Sequence, residues 1–241
     1  YFMTKKILNQ NANYTLEIIR SVEEEFTFQK KPINRFQITN GFENNQTFSK
    51  RDKLDVLKKK VDSIDNCNLK NHSKKIIMGS GELNSPIMII GEAPGLDEEN
   101  SGLTFEGNVG QLLEKMLLAI EIQRKKIYTT YSVNFRPPND RKPSSSEIKR
   151  YSIFLKEHIS IIDPKILILM GSTAMEAITG FNGKISNERG QWKEIILKNK
   201  TYPLIITYSP SYLIRYPEFK KYSWADLKEI RNKIQDLNIR I

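Results

Sequence analysis

The chain has 241 residues, a formal net charge of +10 at pH 7 and 39% apolar residues, enough for a packed core in one large or two small domains. Its single cysteine, Cys67, excludes an intramolecular disulfide framework and fits a reducing cytoplasm, and no run of about 18 apolar residues is present to span a membrane. The basic balance points to a polyanionic partner, but a Lys-, Asn- and Ile-heavy composition also accompanies an AT-rich genome, so charge alone weighs little.

Tyr1-Phe2 ahead of Met3 reads as a remnant outside the native sequence. Residues 4–31 show helical apolar spacing around Tyr14–Val22, and residues 31–49 are rich in Asn, Gln, Thr and Phe with little periodicity. Residues 1–60 are therefore expected to form an N-terminal helix and flexible linker, ahead of a domain spanning 61–241. Arg51–Val61 resumes a helical pattern, with Leu54, Leu57 and Val61 on one side and lysines on the other. The lysines of this helix and of Lys74-Lys75 could line a DNA groove but read better as a solvated face.

Ile87-Met88-Ile89-Ile90 is a buried-strand run that stops abruptly at Gly91-Glu92-Ala93-Pro94-Gly95. Val109–Ile120 places Leu112, Leu113, Met116, Leu117 and Ile120 on one helical face. Lys126–Tyr131 predicts a short strand ended by Arg136-Pro137-Pro138. Ser144-Ser145-Ser146-Glu147 supplies N-cap hydroxyls and a first-turn acid for a helix reaching Ile162, which Pro164 breaks. Lys165–Met170 is a second strand buried on both faces. Gly171-Ser172-Thr173-Ala174 then turns into a helix whose first amides suit a phosphate. Trp192–Leu197 and Thr201–Thr207 predict a strand pair around Lys198-Asn199-Lys200, and Trp224–Ile241 an amphipathic helix. Strands alternating with helices predict an α/β protein, a three-layer α/β/α sandwich with a mainly parallel central sheet.

Three ordered stretches carry a resemblance. GEAPGLDEENSGLTFEGNVGQLLEKML, Phe135-Arg136-Pro137-Pro138-Asn139-Asp140-Arg141 and Ser209-Pro210-Ser211-Tyr212-Leu213-Ile214-Arg215 resemble, in the same order, the motifs of the uracil-DNA glycosylase superfamily, in particular its family 4. The resemblance runs from about Cys67 to the C-terminus. It implies the same sandwich fold and a DNA glycosylase of base-excision repair, which extrudes a deoxyuridine and hydrolyses its N-glycosidic bond. The implied partner is DNA containing uracil or another damaged base, bound by a cytoplasmic monomer.

By this resemblance Phe105 stacks on the extruded uracil, beside Gly91 and Ala93. Glu98 lies against the base edge where it excludes the thymine methyl group, and Glu92 lines the same pocket; either carboxylate is a candidate to stabilise the sugar cation or to orient water. Asp97, Glu99 and Asn100 read as solvated. Gly107, Gly110, Ser172, Ser211 and Arg215 are candidate DNA contacts, and Leu213 is the candidate wedge that fills the gap left by the base.

Two positions depart from the family. Tyr131 stands where the family has an asparagine that reads the uracil edge, and a single phenolic hydroxyl cannot reproduce that paired contact. Ser209 stands where the family has a histidine that donates to the leaving uracil, and loss of such a donor costs about 10²- to 10³-fold in rate. Three readings therefore stay open: a slow glycosylase with Glu92, Glu98 and Ser209 as catalytic candidates, a DNA-binding scaffold without turnover, or a glycosylase retuned to another damaged base. His72 and His158 lie outside the motifs and read as surface residues.

Family 4 proteins commonly hold a [4Fe–4S] cluster on four cysteines, which correspond here to Ile64, Cys67, Phe135 and Tyr151. One thiolate cannot ligate a cluster that needs four, so no cluster is expected, and Phe135 and Tyr151 are expected to fill its place by packing. One Cys and two distant His make no zinc site, and the Lys motif of a phosphate loop is missing.

Overall fold

The computed structural model describes residues 48–65 and 67–240; the helix expected within residues 4–31 and the linker up to residue 47 lie outside them. Helix α1 (Lys50–Asp62) starts at Ser49, whose hydroxyl accepts from the Asp52 N–H while the Asp52 carboxylate accepts from the Ser49 N–H. It runs across the boundary expected at residue 60 and buries Leu57 and Val61. Helix α2 (Asn68–His72) and strand β1 (Gly79–Gly81) lead into β2 (Ile87–Gly91). Then come α3 (Leu96–Ser101), α4 (Gly107–Leu118), β3 (Tyr128–Tyr131), α5 (Ser145–Ile162), β4 (Ile166–Met170), α6 (Ser172–Thr179) and α7 (Ile185–Glu188). Strands β5 (Trp192–Leu197) and β6 (Lys200–Thr207) and helices α8 (Pro210–Arg215) and α9 (Lys220–Asp236) complete the chain.

Among the described residues six strands form one sheet in the order β1-β3-β2-β4-β6-β5. The four central strands are parallel, and β1 and β5 run antiparallel at the edges. The unbroken apolar runs of β2 and β4 fit this position, because each face of the sheet carries its own core. Ile87, Ile89, Ile166, Ile168 and Met170 pack under α4 and α9, whereas Met88, Ile90, Leu167 and Leu169 pack under α5 and α6. The expected three-layer α/β/α architecture is observed.

Several boundaries shift for local reasons. The third strand begins at Tyr128 because a 3-10 turn occupies Arg124–Lys126. The last helix starts at Lys220, where Phe219 enters it from a 3-10 turn over Pro217–Phe219. The Gly/Pro loop after β2 also holds α3, whose first N–H at Gly95 is capped by Glu98 Oε2 at 2.9 Å.

Two side chains read as solvated are buried. His158 is 2% exposed because it lies on the sheet side of α5, with Nε2 2.9 Å from the Tyr128 hydroxyl. Glu99 is 6% exposed and accepts from Ser73 Oγ, the Lys74 N–H and Arg136 Nη1 at 2.8, 2.7 and 3.2 Å. Burial raises its carboxyl pKa, and these donors outweigh that and hold it below the ordinary range.

Candidate active site

All four parallel strands present their carboxyl ends at one edge of the sheet, where ligands of open α/β folds gather. The loops leaving β2, β4 and β6, together with Tyr131 at the end of β3, surround a cavity of about 510 Å³. Of the residues expected at a site, Gly91, Glu92, Ala93, Glu98, Phe105, Tyr131, Ser172, Ser209, Ser211 and Arg215 line it.

Glu92 stands at the centre of a polar chain. Its Oε2 accepts from Ser209 Oγ at 3.0 Å, and its Oε1 accepts from the Thr173 N–H at 3.2 Å and from Ser172 Oγ at 3.4 Å. Ser172 Oγ in turn accepts from Lys142 Nζ at 3.0 Å, and Ser209 Oγ lies 3.1 Å from Ser211 Oγ. Gly171 makes this close approach possible, since a Cβ there would lie 2.3 Å from the Glu92 carboxyl carbon. The Ser209 side chain also caps α8 by accepting the Tyr212 N–H at 3.3 Å, so its hydroxyl is fixed on both sides.

Glu98 has a different environment. It is 5% exposed, and besides capping Gly95 it accepts from the Glu106 N–H at 3.0 Å and from the Tyr131 hydroxyl at 2.9 Å. The same hydroxyl accepts the Phe105 N–H at 2.9 Å. The Tyr131 and Phe105 rings lie with centroids 4.9 Å apart and planes 30° from parallel, each ring 4% exposed. Both rings close over Gly91, where a Cβ would come within 2.7 Å of either. Burial first, then the Glu98 charge, push the Tyr131 phenol pKa well above its usual range, so it stays protonated and donates. The Arg124 guanidinium, 5.5 Å from the Phe105 centroid, also borders this ring.

Three expected contacts stand elsewhere. Leu213 is 1% exposed in the core beneath α8, which removes it as a wedge; the exposed apolar side chain of that turn is Ile214, at 43%. Gly107 and Gly110 lie outside the cavity lining. Gly110 serves packing instead, since a Cβ there would sit 1.9 Å from the Phe105 carbonyl oxygen.

Arg141 and Thr173 stand within stretches picked out in the sequence without a role of their own, and Lys142 follows the second of the three motifs; all three line the cavity. Arg141 is tied to Glu147 by two bonds of 2.7 and 2.9 Å. Lys142 and Arg215 make no ion pair among the described residues. Both line the cavity, Lys142 Nζ donating to Ser172 Oγ.

The residues matching the cluster cysteines do not fit a cluster. Cys67, Phe135 and Tyr151 are buried together, Phe135 and Tyr151 meeting edge-on at 6.3 Å and Cys67 Sγ lying 3.1 Å from the Tyr151 hydroxyl, with Ile64 packed against them. Three of the four side chains offer no thiolate. No helix among the described residues is long and apolar enough to cross a membrane.

Comparison with known proteins agrees with this geometry. The family described as the Uracil DNA glycosylase superfamily matches residues 78–228. The type-4 uracil-DNA glycosylase of Sulfurisphaera tokodaii is 34% identical over 187 residues, covering 75% of this chain and 84% of that protein. The type-4 enzyme of Pyrobaculum aerophilum is 31% identical over 176 residues, covering 70% and 90%. That of Thermotoga maritima is 30% identical over 169 residues, covering 70% and 86%. With its sheet edge, loops and motifs in the family's order, the chain belongs to the uracil-DNA glycosylase superfamily.

Proposed function

We propose that this protein is a DNA glycosylase of base-excision repair that takes an extruded deoxyuridine into the cavity and hydrolyses its N-glycosidic bond slowly, acting as a cytoplasmic monomer. The observation that carries this reading is the meeting of Phe105, Glu98, Glu92 and Ser209 on one cavity at the sheet edge. Phe105 supplies the face for the base, Glu98 borders the base edge, and Lys142 and Arg215 hold phosphates. Glu92 orients water toward the sugar. The bond between uracil N1 and sugar C1′ breaks with its electron pair leaving on the base, the water oxygen bonds to C1′, and the water proton passes to Glu92. The Ser209 hydroxyl, donated to Glu92, positions that carboxylate rather than the leaving base. The missing donor to the base costs about 10²- to 10³-fold.

A DNA-binding scaffold without turnover is the second reading, favoured by the Tyr131 ring lying on Phe105. A labelled oligonucleotide with one deoxyuridine, incubated with the protein and then alkali, separates the two. Cleavage at deoxyuridine but not thymidine is expected from the wild type, and faster cleavage from Tyr131→Asn combined with Ser209→His. Cleavage by the double variant alone leaves the scaffold reading standing for the natural chain. Cleavage of a matching oligonucleotide that carries deoxyinosine, without cleavage at deoxyuridine, means a retuned base pocket.

A further inference from the structure

We propose that Tyr131 is a resident occupant of the base slot, so that the site accepts uracil only after this side chain has swung away. The inference deepens the glycosylase reading and rests on it for the identity of the slot. Its support is that one side chain occupies an aromatic face, a hydrogen-bond donor and a hydrogen-bond acceptor that a pyrimidine could use there. The ring takes the Phe105 face, with centroids 4.9 Å apart. The hydroxyl accepts from the Phe105 N–H and donates to Glu98 Oε1, both at 2.9 Å.

Uracil offers the same pair of functions on neighbouring edge atoms, a carbonyl oxygen that accepts and an N3–H that donates. Phenol and uracil therefore compete for one donor and one acceptor, and both cannot be bound at once. The backbone is shaped to the occupant. Phe105 holds φ +54°, a region that non-glycine residues rarely adopt, and this conformation accompanies an N–H directed at the phenol. Gly91 lacks the Cβ that would strike both rings at 2.7 Å. The Tyr131 ring lines the cavity beside Phe105 and covers part of its face, so its departure widens that face toward the space beside Glu92 and Ser209. The apparent affinity for a base is then reduced by the fraction of molecules in which the ring has left.

The side chain leaves behind a backbone donor and a carboxylate when it is shortened, both buried and ready for a ligand. Titration calorimetry with free uracil tests the inference on the full chain, after cooperative melting of each protein has been checked. Tyr131→Ala and Tyr131→Asn are expected to bind uracil about 10- to 100-fold more tightly than the wild type. Tyr131→Phe, which keeps the ring and loses only the hydroxyl, is expected to stay closed. Saturable binding of uracil by the wild type with an affinity equal to that of Tyr131→Asn overturns the inference, and so does a folded Tyr131→Asn that binds no uracil. If alanine does not fold, asparagine carries the comparison; the wild-type titration needs no variant. Uracil binding by Tyr131→Asn without release of base from DNA refutes the glycosylase reading and leaves the occupant in place.

Discussion

Ser209 Oγ donates to Glu92 Oε2 across 3.0 Å and so joins the end of β6 to the loop that leaves β2. The hydroxyl has one proton, and it is already given to the carboxylate. Ser209→Ala removes one of three donors to Glu92, since Thr173 and Ser172 remain. It is expected to slow uracil release about 3- to 10-fold. Glu92→Gln keeps the shape but cannot take a proton from water, and a loss of about 10²- to 10⁴-fold is expected. Single-turnover rates on a deoxyuridine oligonucleotide check the ranking. Equal losses in the two variants would show that Glu92 acts only as a structural anchor.

On the glycosylase reading, DNA affinity is expected to depend on which rim cations are already neutralised. Lys142→Ala and Arg215→Ala are each expected to weaken binding of a uracil-free duplex and to lower the dependence of log K on log salt by about one. Arg141→Ala is expected to change neither, because Glu147 holds its guanidinium. Ile214, the exposed apolar side chain of α8, separates from both: Ile214→Ala should slow base release from duplex while leaving single-stranded substrate unchanged, since only a duplex leaves a gap to fill. Fluorescence anisotropy over a salt series, with release assays on both substrates, distinguishes the cases. An Arg141 variant as weak as the Lys142 variant would contradict the assignment.

The sheet was legible because β2 and β4 are short apolar runs, rich in Ile and bounded by Gly or Pro, which read as strands buried on both faces. The loop motifs located the cavity for a similar reason, since Gly91, Pro94 and Gly95 stop a buried strand abruptly. What the letters did not show was partnership across the chain. Glu99 looks like any acid in a charged run until Ser73, Lys74 and Arg136, distant in sequence, are seen to surround it. Leu213 and Ile214 are adjacent apolar residues, and only the packing of α8 decides which is buried. The orientation of Tyr131 depended on the partners waiting for its hydroxyl, and those lie on two other segments.

The cluster formed by Cys67, Phe135 and Tyr151 makes a stability prediction. Tyr151 is 0% and Phe135 3% exposed, and the two rings meet inside one apolar group with Leu57 and Val61 of α1. Truncation leaves a cavity that the surrounding helices can close only in part, so Phe135→Ala and Tyr151→Ala are each expected to cost about 3 to 5 kcal/mol. Cys67→Ala removes far less volume, and about 1 kcal/mol is expected. Urea unfolding with circular dichroism gives the comparison. Costs below about 1 kcal/mol for both aromatic variants would mean that the region is not a packed core.

His158 gives the fold a dependence on mild acid whose sign follows from its burial. Burial pulls its pKa down from 6.5 to about 4, while Nε2 stays beside the Tyr128 hydroxyl at 2.9 Å. The unfolded chain takes up the proton near pH 6.5 and the folded chain only near pH 4, so between these values the unfolded state binds more protons. Stability is therefore full above about pH 6.5 and falls as the pH drops toward 4, by on the order of 3 kcal/mol in all. Glu147, whose carboxyl Arg141 holds at about 2, adds loss only below its ordinary value of 4.5. Asp226, raised by burial, works in the opposite direction. His158→Gln keeps a polar partner for Tyr128 but does not titrate, and subtracting its unfolding free energy from that of the wild type cancels the carboxylates. The difference is expected to shrink steadily from pH 6.5 to 4.5; two curves that run parallel across that interval would show that His158 is not held neutral in the core.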